Sequence, residues 1–196
     1  MDLKSFFIEL AATFDGDLAI EKHARAALLN ADVGDISLAG DPLPDPVLGV
    51  MQAPDAHPIC SSIAQLPFQW APPQTSSDPN YIAHSLAKVH VELLGPGGLV
   101  KSNDVRLGLY GMLPGAEYGI RTHPAEEIYV MFAGRCDWIR GDGPYVELGP
   151  NERSHHPSMM PHASRTRDHA FMSVYVWHGD VSTDGYTYEG LPADQS

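Results

Sequence analysis

Apolar residues recur at helical spacing through the first residues of the chain. Leu3, Phe6, Phe7, Leu10, Ala11 and Phe14 would share one face, and Asp2 stands at the N-cap, so a helix is predicted over 3–14. A second is predicted over about 17–29, with Ile20, Ala24, Ala27 and Leu28 on one face. Prolines break residues 34–49, which read as a loop, and 57–66 reads as a short helix. After a further loop over 71–80, the set Ile82, Leu86, Val89 and Leu93 predicts a third helix over 79–94, closed by the glycines of GPGG.

Beyond residue 105 the texture changes. RLGLYGML, EIYVMFAG, CDWIRG, YVELG and FMSVYVW are short β-type runs separated by Gly, Pro and Asp. Strands at such regular spacing imply a sandwich or barrel. The chain therefore reads as mainly β: a helical layer over residues 1–95 packed on a barrel over 96–196, the two forming one folding unit.

Composition narrows the partners. The 196 residues suffice for one domain with a sizeable core, and no stretch approaches a membrane-spanning length. The first residues, MDLKSFFIELAATFDGD, do not read as a secretory signal, and Cys60 and Cys136 are too far apart in sequence to suggest a disulfide framework, so a cytoplasmic location is expected. A formal charge of −13 argues against a nucleic-acid partner. The expected partner is a small molecule, with no membrane partner, and a homo-oligomer is allowed. An anionic substrate would need positive charge gathered locally, from a metal or an arginine.

The segment RTHPAEEIYVMFAG, residues 121–134, carries the candidate chemistry. On a hairpin or bent strand pair, His123, Glu127 and Tyr129 have one parity and face one interior. Imidazole nitrogen with carboxylate oxygen suits one divalent transition metal ion: Zn, Fe(II), Mn, Ni or Co. A third ligand must come from elsewhere, and His162, after Pro161 at a turn, is the candidate. Each of these residues alone is more often an ordinary polar strand position; it is the joint pattern that points to a metal.

That pattern resembles the cupin family. Gly115, the triplet Arg121-Thr122-His123, Glu127 and Gly134 fall at the spacings of the first cupin motif, and Pro157, Pro161 and His162 match the second, with Met159 where a glycine is usual. The resemblance implies a double-stranded β-helix (jelly-roll) barrel with His123, Glu127 and His162 as metal ligands. Arg121 occupies the place of the first motif histidine and cannot ligate. Three protein ligands leave a position open for substrate or water, and Tyr129 could reach the ion as a phenolate.

The run Tyr118, then His123 to Tyr129, then Pro161 to Thr166, is similar to the bacterial dimethylsulfoniopropionate (DMSP) lyases of the cupin type. This implies a carbon–sulfur lyase releasing dimethyl sulfide and acrylate by β-elimination. Tyr129 is then the base, with Tyr118 orienting substrate or sharing that role. Trp177 would offer an aromatic face to the sulfonium, while Trp138 reads as core. Arg121 would be a salt-bridged barrel residue, a carboxylate anchor, or the mark of another substrate. Arg165 is expected to pair with an acid at its turn, and His155 and His156 are expected at the surface, with one of them at the pocket mouth as the alternative. The alternatives are a cupin dioxygenase or isomerase acting on another small carboxylate, and a non-catalytic ligand-binding cupin.

Overall fold

The structure is a computed structural model and describes residues 1–192. Its elements, in chain order, are α1 (Leu3–Ala12), α2 (Ala19–Asn30), α3 (Asp45–Met51), α4 (Cys60–Gln65), α5 (Pro79–Ser85), β1 (Lys88–Gly95), β2 (Val100–Lys101), β3 (Val105–Met112), β4 (Glu117–Thr122), β5 (Glu126–Gly134), β6 (Cys136–Arg140), β7 (Val146–Leu148), β8 (Arg153–His156), β9 (His162–Arg165), β10 (Phe171–His178) and β11 (Thr187–Gly190). Asp2 caps α1 as expected: its carboxylate accepts from the Ser5 amide at 2.8 Å.

Two departures have clear causes. Residues 79–94 are not one helix. α5 ends at Ser85, and β1 begins at Lys88, inside the stretch assigned to helices. Val89, Val91 and Leu93 are buried at period two, whereas Ile82 and Leu86 are exposed. The helical spacing was coincident with a strand alternation, and strand pairing with β3 decides between them. In the segment read as a loop, Pro46 in the first turn of α3 starts a helix rather than breaking one.

The strands form two sheets. One runs β2-β1-β3-β10-β5-β8 and the other β11-β4-β9-β6-β7. The outer face of the first is covered by helices. Ile128, Val130 and Phe132 of β5, with Val174 and Val176 of β10, share one core with Phe6, Phe7, Leu10, Phe14, Ile20 and Leu28. Burial of side chains this size contributes roughly 1.5–3 kcal/mol each, which fixes the strands from behind. Arg153 at the start of β8 adds a tie, donating from Nε to Glu21 of α2 at 2.9 Å.

The inner face of the same sheet looks into the barrel. Strand registry lines up Arg106, Trp177, Glu127 and His156 as one row across four strands, and Gly108, Tyr175, Tyr129 and Ser154 as the next. The second sheet closes the barrel with Tyr118, Trp138 and His162. Tyr118 and Arg121 differ in parity yet both line the interior, because the pairing of β4 with β9 shifts register between them.

The two motif glycines are explained by the backbone. Gly115 and Gly134 both have φ of +69°. A Cβ at Gly134 would lie 2.0 Å from the Ala170 carbonyl oxygen, whereas one at Gly115 would meet nothing within 4 Å. Gly134→Ala should therefore destabilise the protein by roughly 2–4 kcal/mol and Gly115→Ala by about 1 kcal/mol, an order that urea denaturation reads directly.

Candidate metal centre

His123 lies just outside the strands, in the connection from β4 to β5. Strand parity therefore does not place it; the turn does. His123 Nδ1 is 3.0 Å from the Ala125 carbonyl oxygen, and the Met159 amide donates to the His123 carbonyl at 2.9 Å. His162 opens β9, with Nδ1 2.8 Å from the Met160 carbonyl oxygen. A carbonyl only accepts, so both rings carry their proton on Nδ1 and turn a lone pair inward at Nε2. The turn that does this passes through Met159 at φ +61°, the conformation for which a glycine is usual.

Both lone pairs point at Glu127. Its Oε2 lies 3.4 Å from His123 Nε2 and 3.0 Å from His162 Nε2, and all three residues are buried. Neither Nε2 has a hydrogen-bond partner among the described residues. Two lone pairs aimed at a carboxylate oxygen repel unless a cation lies among them. Donors each about 2.1 Å from a shared ion stand roughly 3–3.5 Å apart, so the observed spacing fits one ion. The ligand atoms of His123, Glu127 and His162 all lie within 4.8 Å of one another, and this buried group could hold a metal.

The electrostatics keep the group ready. Burial pushes the Glu127 carboxyl up, yet it stays well below its usual range, with His156 donating to it, so the group is an ionised carboxylate. Burial, then the Arg121 charge, pushes His162 well down, which keeps its imidazole neutral. Trp177 donates from Nε1 to Glu127 Oε1 at 2.6 Å and stacks on His123 with ring centroids 4.1 Å apart.

A cavity of about 590 Å³ opens onto this group. Tyr118, Arg121, Glu127, Tyr129, Tyr175 and Trp177 line it, as do Arg106 and Glu92. Tyr81 ties its rim together: the ring meets Tyr118, Tyr186 and Tyr188 edge-on, and its hydroxyl accepts from the Thr75 amide at 3.1 Å. Arg121 is fully buried, with its guanidinium carbon 3.7 Å from the Tyr118 ring centroid. Its Nη1 reaches the Tyr118 and Gly119 carbonyls at 3.4 Å, and Nη2 has no partner among the described residues. It makes no salt bridge there, so the bland expectation for this residue does not describe it. Burial, then Glu127, raises the Tyr129 phenol well above its ordinary value, and Arg121 pulls it back.

Among the remaining expectations, Trp138 is buried core, and Arg165 pairs with Asp137 at 3.2 Å. His155 is partly buried against Glu126. His156 is not at the surface. It is fully buried, with Nδ1 3.2 Å from Glu127 Oε2 and its ring stacked on His162. Adjacent histidines on a strand point to opposite faces, and that parity was the available signal.

The model of the dimethylsulfoniopropionate lyase family matches residues 55–173 of the chain. The chain belongs to the DMSP lyase family. The DMSP lyase DddQ of Ruegeria pomeroyi is 40% identical to it over 91 residues, which are 46% of this chain and 45% of that protein. The chain thus matches just under half the length of this curated DMSP lyase. The structure of DddQ from Ruegeria pomeroyi superposes with a TM-score of 0.63 at 23% identity, covering 98% of each chain. A structure reported with the DMSP lyases RdDddP and RnDddQII gives 0.67 at 22% identity, covering 95% of this chain and 97% of that one. The fold is accordingly the expected one for the DMSP lyase family: a cupin barrel, mainly β, with helices at its N-terminal side. No helix among the described residues is long and apolar enough to cross a membrane.

Two outcomes follow from this geometry. Elemental analysis of the purified protein should find close to one divalent transition metal ion per chain, falling to a small fraction of that in His162→Ala. The second concerns Lys88, which is buried, donates to the His84 carbonyl at 2.5 Å and sits 4.2 Å from the Tyr118 ring centroid. Burial, then Arg121, lowers its pKa from 10.5 to about 7. Above about 7 the unfolded chain keeps this proton while the folded chain has lost it, so stability rises with pH from there towards 10.5. Lys88→Met should remove that rise and stabilise the protein at pH 6 by about 2 kcal/mol, read by urea denaturation at pH 6 and pH 9.

Proposed function

We propose that the protein is a metal-dependent DMSP lyase, a carbon–sulfur lyase yielding dimethyl sulfide and acrylate. The observation that carries the reading is the convergence of two unpartnered imidazole nitrogens and the Glu127 carboxylate on one point, with Tyr129 beside it in the same cavity. Family membership supports it, as does the activity for which DddQ is named. In this reading His123, Glu127 and His162 hold one divalent ion: Zn, Fe(II), Mn, Ni or Co.

The reaction needs a base near the carbon next to the substrate carboxylate. Tyr129 takes the proton from that carbon, the C–H electron pair becomes the double bond of acrylate, and the C–S pair leaves with dimethyl sulfide. Burial keeps the Tyr129 phenol protonated on its own, so the role depends on added positive charge. The bound ion would supply that charge as a Lewis acid, both lowering the phenol pKa and stabilising the carboxylate end of the substrate.

Arg121 seats the substrate carboxylate through its free Nη2, a charge-assisted contact. Tyr118, held by Tyr186 at 2.9 Å between hydroxyls, orients the substrate. Trp177 takes the sulfonium on its indole. The Arg106 guanidinium lies 5.5 Å from that ring, so the sulfonium competes with a cation already there. Arg106, Arg121 and Lys88 give a second reading its footing: a small carboxylate substrate that carries no sulfonium. The proposed enzyme is cytoplasmic and acts on a small molecule, without nucleic-acid or membrane partners.

Headspace dimethyl sulfide from purified protein and DMSP decides the matter. No gas above a heat-treated control, with metal bound, would reject the lyase and leave the second reading. Tyr129→Phe should retain its fold and lose at least about 100-fold in kcat. Arg121→His should raise the KM for DMSP about ten-fold or more while binding metal at least as tightly, since a buried cation near the ion is gone.

A further inference from the structure

Three histidines surround the Glu127 carboxylate, and their hydrogen bonds separate them into two kinds. His123 and His162 each spend Nδ1 on a backbone carbonyl and leave Nε2 without a partner. His156 leaves nothing unpartnered. Its Nδ1 is 3.2 Å from Glu127 Oε2, and its Nε2 is 2.8 Å from Ser154 Oγ. A carboxylate oxygen only accepts, so Nδ1 carries the proton and donates; Nε2 is then the acceptor and the serine hydroxyl donates to it. Ser154 and His156 are both fully buried on β8, directly across from Tyr129 and Glu127 of β5 and on the same sheet face.

We propose that His156 is a positioning residue: the Ser154–His156 pair holds Glu127 in place as a ligand. The inference rests on the metal-centre reading. Glu127 is gripped at both oxygens, by Trp177 Nε1 on Oε1 and His156 Nδ1 on Oε2. Those two donors come from the strands on either side of β5, so the carboxylate cannot turn toward the Arg121 charge or rotate away from the two open lone pairs. A carboxylate fixed in this way reaches the ion without losing side-chain freedom at the moment of binding, which matters most where a cationic neighbour opposes the ion. Stacking of His156 on His162, with centroids 4.2 Å apart and rings 11° from parallel, sets the plane of a second ligand from the same residue.

Equilibrium competition with a chromogenic chelator, using Zn²⁺ or Mn²⁺ and no substrate, tests this on the full chain. His156→Leu should weaken metal binding about 10- to 100-fold with the fold intact by circular dichroism. His156→Asn, which keeps an N–H donor at the δ position, should recover most of that loss. Ser154→Ala, which frees the imidazole to change tautomer, should give a smaller loss of the same sign. A folded His156→Leu protein that binds metal as tightly as wild type overturns the proposal. So does a loss that His156→Asn fails to recover, which would make His156 a ligand itself. If His156→Leu does not fold, Ser154→Ala decides alone, and unchanged affinity there overturns it. Wild type that binds no metal sinks the metal centre. Wild type that binds metal and releases no dimethyl sulfide sinks only the lyase.

Discussion

Glu127 Oε2 is the atom on which the interior of the barrel is organised. Two imidazole lone pairs face it at 3.4 and 3.0 Å, a third imidazole donates to it at 3.2 Å, and an indole holds the other oxygen of the same carboxylate. This is an arrangement that only a positive charge completes. Two of these neighbours are placed by strand registry: Trp177 and His156 stand directly across from Glu127 on the strands at either side. The candidate metal centre thus depends on how β10, β5 and β8 are aligned, with the β4–β5 connection and the turn before β9 supplying the remaining two rings.

The cavity does not share the charge balance of the molecule around it. The chain carries −13 overall, yet the cavity lining sets Arg106 and Arg121 against Glu92 and Glu127, and buried Lys88 shares the Tyr118 ring with Arg121. Arg106 has Glu92 at 3.7 Å, whereas Arg121 makes no salt bridge among the described residues. A charge buried without a carboxylate to meet it is costly. Its retention here is consistent with a site that receives the anionic end of a small molecule.

Much of this was legible in the sequence, and the failures are instructive. His123, Glu127, Tyr129 and His162 do come together, because the motif spacing encodes the β4–β5 connection that holds His123, the strands that hold the other three, and the two left-handed glycines at its ends. His156 was not legible as a site residue. The parity of His155 and His156 turns one of them inward but does not say which, since the partner Glu127 is far along the chain and the pairing of β5 with β8 is visible only in three dimensions. The β1 strand failed for a different reason: Ile82, Leu86, Val89 and Leu93 fit a helix and Val89, Val91 and Leu93 fit a strand. Only the long-range partner β3 separates the two. Arg121 was legible as a departure from the motif, but its burial without an acid partner was not.

The strand that carries Glu127 and Tyr129 is buried on both sides, and alternation sorts its residues as far as Phe132, where the pairing with β10 shifts register. In β5, Ile128, Val130 and Phe132 pack on the helices, while Glu127, Tyr129 and Met131 look inward. Neighbouring codons therefore serve separate masters. One set keeps the chain folded, and the interleaved set selects what it acts on. Within a single strand, a lineage can exchange its substrate one residue at a time without surrendering the scaffold that presents it.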